Sequence, residues 1–303
     1  MHKGSVYQSK EWIHAKIASG EKPLVLAGIS AFERKRKIPF IGEKTILFAE
    51  GSLDSINNEE YISKLKEFKT QSKKYFYGVI APTVLAPNQD IFKSAGLRKV
   101  SNNTILLDLS QSKEDLWNNL EKKSIRWGIK TAEKNALTFQ LADKGEVQDF
   151  YKLYSRIAEN GMFHAENEEF VKILSNTSIS KLFLVKNKEK IVAGGLILID
   201  QHNNYSILNL TASSEEGLKL QAMPYLYWNL ILYSKSLGLA HFDLGGYDLE
   251  AKGTDKTYNI NKFKARFGGK VVEQPIYSTN WKYPFFRGIL KRFSLLKSIY
   301  KKN

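Results

Sequence analysis

The feature that most narrows the fold of this chain is a pair of apolar runs, KLFLVKN (181–187) and KIVAGGLILID (190–200), meeting at Asn187-Lys188-Glu189. Apolar runs of this length, broken by a short polar turn, read as the two strands of a β-hairpin. The rest of the second half continues the pattern. LTFQL (137–141) reads as a strand, and residues 146–160 and 167–174 as helices. After the hairpin, NYSILNLTA is a strand, residues 222–237 a helix closed by Gly238, and HFDLGG (241–246) a short buried strand running into glycines. Residues 258–266 form a short helix stopped by Gly268-Gly269, and KVVEQPIYS is the last strand. The order is β-α-α-β-β-β-α-β-α-β.

The first half also alternates. PLVLAGISA (23–31), TILFA (45–49), YFYGVIA (75–81) and TILLDL (104–109) read as strands, the first two joined by the basic connector ERKRKIPFIG. Tyr61, Leu65 and Phe68 recur at helical spacing within 59–72. A further helix starts at Ser110 or Ser112, with Glu114 and Asp115 at its positive end and a stripe of Leu116, Leu120 and Trp127, and runs to about Asn135. A single core stops growing near roughly 250–300 residues, so a chain of 303 residues divides in two. The expected first unit covers 1–135 and is completed by the tail 279–303; the second covers 136–278. The expected fold class is α/β, two mixed sheets flanked by helices, and the element order resembles that of acetyltransferase-like (GNAT) folds.

Composition excludes several chemistries. There is no cysteine, which removes thiol nucleophiles, disulfides and thiolate metal sites. The five histidines are scattered without HxxxH or HxH spacing, so no metal is expected. The N-terminus has no apolar signal region, and no apolar run approaches the ~20 residues of a spanning helix. The expectation is a cytoplasmic protein. Its net charge of +15 calls for an anionic partner: nucleic acid, a phosphorylated metabolite or an acidic bilayer face. From Trp281 to Asn303 there are seven basic residues and no acidic one. Phe286, Ile289, Leu290, Phe293, Leu296 and Tyr300 fall there at helical spacings. This basic amphipathic tail either packs on the first unit or lies on the inner face of the cell membrane.

Three segments carry candidate chemistry. In LWNNLEKKSIRWGIKTAEKN (116–135), Lys122, Lys123, Arg126 and Lys130 recur at spacings near three and four. Such a stripe suits a phosphate-bearing substrate, and equally a solvated surface. In HFDLGGYD (241–248), Gly245 and Gly246 let backbone approach a ligand closely, or simply make a tight turn that Asp243 orders. In YNINKFKARFGGKVVEQPIY (258–277), Phe263, Lys264 and Phe267 precede the Gly-Gly stop.

Together these segments resemble the Fem-type non-ribosomal peptidyltransferases. The matching pieces are GIKTAEK after the basic run, the D-x-G-G element at Asp243–Gly246, the F-K-x-x-F-G signature at Phe263–Gly268, and YQSKEW (7–12). The resemblance spans almost the whole chain and is strongest over 116–277. It implies two GNAT-like domains and transfer of an amino acid from aminoacyl-tRNA to an amine of a peptidoglycan precursor, nucleotide- or lipid-linked, with no further cofactor. It implies that Lys264 stabilises the oxyanion and Phe263 shapes the site. Asp243, Gly245, Gly246, Tyr247 and Tyr258 join the basic stripe as substrate-binding candidates. Family members with a coiled-coil arm insert it in the second domain; between Gly145 and Lys181 there is no room for one.

Two rivals stand beside this reading. One is an acyl-CoA-dependent N-acyltransferase acting on a cell-surface sugar or peptide. Such enzymes cradle pyrophosphate on a Gly-rich loop opening a helix, whereas SSEEGLKLQAMPYLYW (213–228) has one glycine. The other is a non-catalytic nucleic-acid or membrane-surface protein, which the charge alone would permit.

Overall fold

The computed structural model describes residues 5–51, 57–85, 90–159, 165–253 and 256–290. Contacts divide the chain into two units: 1–103 with 247–260 and 272–303, and 104–246 with 261–271.

The first unit holds α1 (Lys10–Ala18), β1 (Lys22–Leu26), β2 (Ile29–Ile38), β3 (Gly42–Glu50), α2 (Asn58–Gln71), β4 (Gly78–Ala81), α3 (Asp90–Ser94) and β5 (Arg98–Val100), and it takes in β13 (Ile276–Ser278) from near the C-terminus. Its sheet runs β1-β2-β3-β4-β13-β5. Ser9 caps α1 by accepting from the Trp12 amide, and Asn57 caps α2 from the Glu60 amide. The predicted stripe Tyr61, Leu65 and Phe68 is buried against Leu26, Ile29, Leu47 and Phe92. Phe92 stacks on Tyr277 of β13 at 4.2 Å, which draws the late strand into this core. A helix over 282–290 packs Phe286 against Ile38, Ile46, Tyr77 and Val79. The beginning of the tail is therefore core; its remainder, with Phe293, Leu296 and Tyr300, lies outside the described residues.

The expected strand 23–31 is two strands. Ala27 (φ 51°) and Gly28 (φ 78°) form a two-residue turn between paired Leu26 and Ile29, the positive-φ pair that hairpins favour. The connector ERKRKIPFIG is mostly β2 itself, paired with β3 from Ala31↔Ala49 to Ile38↔Gly42. Lys35, Arg36 and Lys37 are exposed along a strand where a loop was expected.

The second unit holds β6 (Asn103–Asp108), α4 (Lys113–Asn119), α5 (Trp127–Lys134), β7 (Thr138–Leu141), α6 (Val147–Glu159), α7 (Glu168–Leu174), β8 (Ser180–Asn187), β9 (Lys190–Asp200), β10 (Tyr205–Ser213), α8 (Glu215–Lys219), α9 (Ala222–Ser236) and β11 (His241–Gly246). α10 (Lys256–Ala265) and β12 (Lys270–Glu273) straddle the division. The sheet order is β12-β6-β11-β10-β9-β8-β7, with β10 and β11 parallel. The hairpin at 187–190 forms as expected, with Asn187 opposite Lys190. Gly194 makes room for Phe150 of α6 and Gly195 for Leu230 of α9, so the Gly-Gly pair serves helix packing on both faces of the sheet.

The units do not part after Asn135. β6 pairs with β11 from His241↔Asp108 to Gly246↔Thr104, which carries residues 104–135 into the second unit. The single helix expected from Ser110 or Ser112 to about Asn135 is also broken. Ser112 caps α4, and the chain then makes a π-helical turn over Lys122–Arg126 before α5. The break falls at Glu121, whose amide donates to the Arg266 carbonyl at 2.9 Å while its carboxylate meets Arg266 Nε at 2.7 Å. The longest described helix has fifteen residues, and no described helix is long and apolar enough to cross a membrane.

Candidate active site

β11 sits between β6 and β10 and stops pairing early. Its parallel register with β10 ends at Ile207↔Asp243, yet β10 continues to Ser213 along β9. A register shift lies at Leu208/Leu210 of β10 and another between Asp243 and Gly246 of β11. Irregularities of this kind re-aim backbone and side chains beside functional sites. The two strands separate where the D-x-G-G element begins.

Asp243 orders that departure. It is buried, and its Oδ1 accepts from the Thr104 hydroxyl and, at 2.7 Å, from the Gly245 amide. Gly245 has φ +78°, a conformation that favours glycine. Burial pushes the Asp243 carboxyl above its ordinary pKa, against the opposing pull of the two hydrogen bonds and of Lys264.

Lys264 comes from the last turn of α10, where a cation favours the negative helix end. Its Nζ donates to the Gly246 carbonyl at 3.2 Å. A Cβ placed on Gly245 would lie 3.5 Å from this nitrogen and 3.6 Å from the Leu208 carbonyl, so the ammonium stands where β10 and β11 part. Burial lowers its pKa to about 8, while the Asp243 charge works in the other direction. Phe263, Phe267 and Tyr227 of α9 form a ring cluster with centroids 5.1–5.3 Å apart, which fixes α10 on α9. Tyr227 is fully enclosed, and burial raises its hydroxyl to about 12. The Gly-Gly stop presses on its neighbours: a Cβ on Gly268 would fall 2.8 Å from Asn119 Cβ, and one on Gly269 2.5 Å from Ile105 Cγ2. These glycines serve packing.

The fold thus brings Asp243, Gly245, Gly246 and Lys264 together, with Phe263 supporting from the side. The basic stripe is a separate feature of the same unit. Lys122, Lys123 and Lys130 are exposed, and Arg126 is half-buried with Nε lacking a partner. The stripe is tied to the end of α10 through the Glu121–Arg266 pair. Tyr247 and Tyr258 belong to the first unit: the Tyr247 amide donates to the Asn103 carbonyl and Tyr258 is exposed. Sequence reasoning missed Thr104 and Tyr227, whereas Phe267 is the second phenylalanine of the F-K-x-x-F-G signature. Thr104 opens an ordinary strand, and its role exists only through the β6–β11 pairing. Among the described residues there is no cluster of three metal-ligating side chains.

An ammonium on a helix end, bonded to the Gly246 carbonyl and near the buried Asp243, can hold developing negative charge on a substrate. With a pKa near 8 it can also exchange a proton near neutrality.

No family model and no curated protein sequence matches the chain. Solved structures do match in fold. FemX superposes with a TM-score of 0.71 at 16% identity, covering 95% of each chain. L-PGS from Bacillus licheniformis gives 0.61 at 14% identity, over 97% of this chain and 98% of its own. A C-terminal domain assigned to a lysylphosphatidylglycerol synthetase of Agrobacterium fabrum gives 0.63 at 14%, over 95% and 92%. The fold is like that of FemX: two mixed α/β units.

Proposed function

We propose that this protein is an aminoacyltransferase that moves an amino acid from aminoacyl-tRNA to an amine on the stem peptide of a peptidoglycan precursor. One observation carries the reading: the lysine of the F-K-x-x-F-G signature stands beside the D-x-G-G turn at the parting of β10 and β11. The fold likeness to FemX over 95% of each chain supports it. The reaction belongs to the cytoplasmic side, where charged tRNA is found.

In this reaction the acceptor amine attacks the ester carbonyl of the donor. A C–N bond forms, and the carbonyl oxygen takes up the electron pair. The protonated Lys264 stabilises that oxyanion, a role whose loss costs on the order of 10²–10³ in rate. Collapse breaks the C–O bond, and the amine's proton ends on the departing ribose oxygen. Asp243 keeps Lys264 charged and holds the turn, while Phe263 steadies the helix. Lys122, Lys123, Arg126 and Lys130 offer charge to the phosphates of a substrate.

The stretch before α9 argues against a CoA-type donor. Its one glycine, Gly217, is committed to packing: a Cβ there would fall 2.2 Å from the Val192 carbonyl. Pro224, in the first turn of α9, has no N–H to offer a phosphate. The test is a transfer assay with charged tRNA set against acetyl-CoA over a panel of muropeptide acceptors. Transfer from acetyl-CoA alone would overturn the proposal. Transfer from tRNA to a lipid hydroxyl, with none to muropeptides, would retain the donor and replace the acceptor.

A further inference from the structure

The tip of the β2–β3 hairpin breaks two local rules at once. Ile38 and Gly42 pair across it, the Ile41 amide donates to the Ile38 carbonyl, and Pro39-Phe40-Ile41 make the turn. Phe40 stands there at φ 65°, a left-handed conformation suited to Gly or Asn and unfavourable for a bulky aromatic. Its side chain is 84% exposed, and Ile41 is exposed too. Just behind the tip, Arg36 lies directly opposite Lys44. Like charges facing each other across a ladder are destabilising. From Arg34 to Lys44 the hairpin carries five basic residues and one acidic, Glu43, which pairs with Lys35 at 3.3 Å. Arg34 is engaged by Glu21 and Glu50. Arg36, Lys37 and Lys44 supply the remaining positive charge.

The helix that packs on the inner side of this tip carries a second exposed apolar group. Ile38 shares a cluster with Tyr283, Phe286 and Ile289 of the 282–290 helix. At the start of that helix Trp281 and Phe285, each 53% exposed, form an edge-on pair at 5.6 Å.

We infer that the β2–β3 tip docks the first unit on an anionic lipid bilayer, with Phe40 and Ile41 entering the headgroup region and Arg36, Lys37 and Lys44 meeting lipid phosphates. An apolar apex with cations set back along the strands matches the depth profile of such a surface: acyl boundary first, phosphates above it. The partner's negative charge relieves the Arg36–Lys44 repulsion, and insertion gives the strained Phe40 a function. A nucleic acid fits less well, because the apex has no cation and Ile41 has no ring to stack. A second copy would bring two chains of charge +15 together. The inference does not depend on which donor or acceptor the enzyme uses.

The test is co-sedimentation of the full chain with vesicles of phosphatidylcholine alone and of phosphatidylcholine mixed with phosphatidylglycerol. The wild-type chain binds the mixed vesicles and not the neutral ones. Phe40→Asn places a residue that tolerates the left-handed region at the turn. It keeps or raises the melting temperature while weakening vesicle binding about tenfold or more, a combination that a purely structural role for Phe40 does not give. Arg36→Gln, Lys37→Gln and Lys44→Gln each weaken binding roughly fivefold. Absence of wild-type binding, or equal binding by Phe40→Asn, overturns the inference. It is equally overturned if Phe40→Asn leaves vesicle binding intact but weakens tRNA binding or alters the sedimentation coefficient of the free protein.

Discussion

Lys264 Nζ lies 3.2 Å from the Gly246 carbonyl oxygen, so a cation from one end of α10 meets backbone from the glycine end of β11. Burial favours the neutral amine, the Asp243 charge favours the ammonium, and the balance settles near pH 8. That balance makes the proposed role testable by pH.

If the ammonium stabilises the oxyanion, the ratio of wild-type to Lys264→Arg turnover, in which the acceptor amine's own titration cancels, is flat below pH 8 and falls as pH rises through it. Lys264→Arg moves the fall to much higher pH, and Lys264→Met lowers turnover by roughly 10²-fold or more with acceptor binding retained. A single-turnover pH series checks this. A ratio that instead rises through pH 8 assigns Lys264 as a base.

The same shift has a sign in stability. Lys264 binds its proton less tightly folded, at about 8, than unfolded, at about 10.4. Between these values the unfolded chain holds more protons, so stability rises with pH across that window. Relative to Lys264→Met, the wild-type protein gains on the order of 1–3 kcal/mol from about pH 8 to about pH 10.5. Urea denaturation of both proteins at the two pH values measures it, and parallel curves would contradict it.

The two glycine pairs separate by mechanism. Gly269→Ala forces a methyl into Ile105 and Leu107, and overpacking of this kind costs about 1–3 kcal/mol. Gly246→Ala meets nothing within 4 Å and has no positive φ, so its melting temperature stays near that of wild type. If the substrate approaches the backbone at Gly246, turnover falls all the same. Thermal melts alongside the transfer assay distinguish the two effects.

The exposed lysines of the basic stripe are predicted to act on binding alone. Neutralising Lys122, Lys123 and Lys130 leaves stability within about 0.5 kcal/mol. It lowers tRNA affinity and reduces the slope of log affinity against log salt by about 0.7–0.9 for each phosphate that is no longer neutralised. A salt titration by filter binding checks this, and an unchanged slope makes the stripe a solvated surface.

These tests reflect what was and was not legible in the sequence. The hairpin at Asn187–Lys190 and the helix carrying Tyr61, Leu65 and Phe68 were readable because their periodicity and turn chemistry are local. β2 was not, because Arg34–Lys37 gives a strand the composition of a loop; only its pairing with β3 makes it one. The break at Ala27-Gly28 was hidden by an unbroken apolar run. The division between the units depends on β6 joining β11 and on Tyr277 returning to Phe92, both long-range pairings that no window reveals. The Asp243 and Lys264 segments stood out as motifs, while their partners Thr104 and Tyr227 are ordinary strand and helix residues that acquire a role only on folding.

Adjacent Phe285 and Phe286 provide the last prediction, because they have opposite environments. Phe286 is 8% exposed and packs on Ile38, Ile46, Tyr77 and Val79, whereas Phe285 is 53% exposed. Phe286→Ala opens a cavity in the first unit and costs about 3–5 kcal/mol. Phe285→Ser removes little buried surface and stays within about 0.5 kcal/mol. A truncation after Ser278 deletes both, so its loss of any activity would report damage to the core as much as loss of the basic tail. Urea denaturation of the two point variants separates these causes. Equal destabilisation by both would mean that the helix over 282–290 does not pack on the sheet in the orientation described.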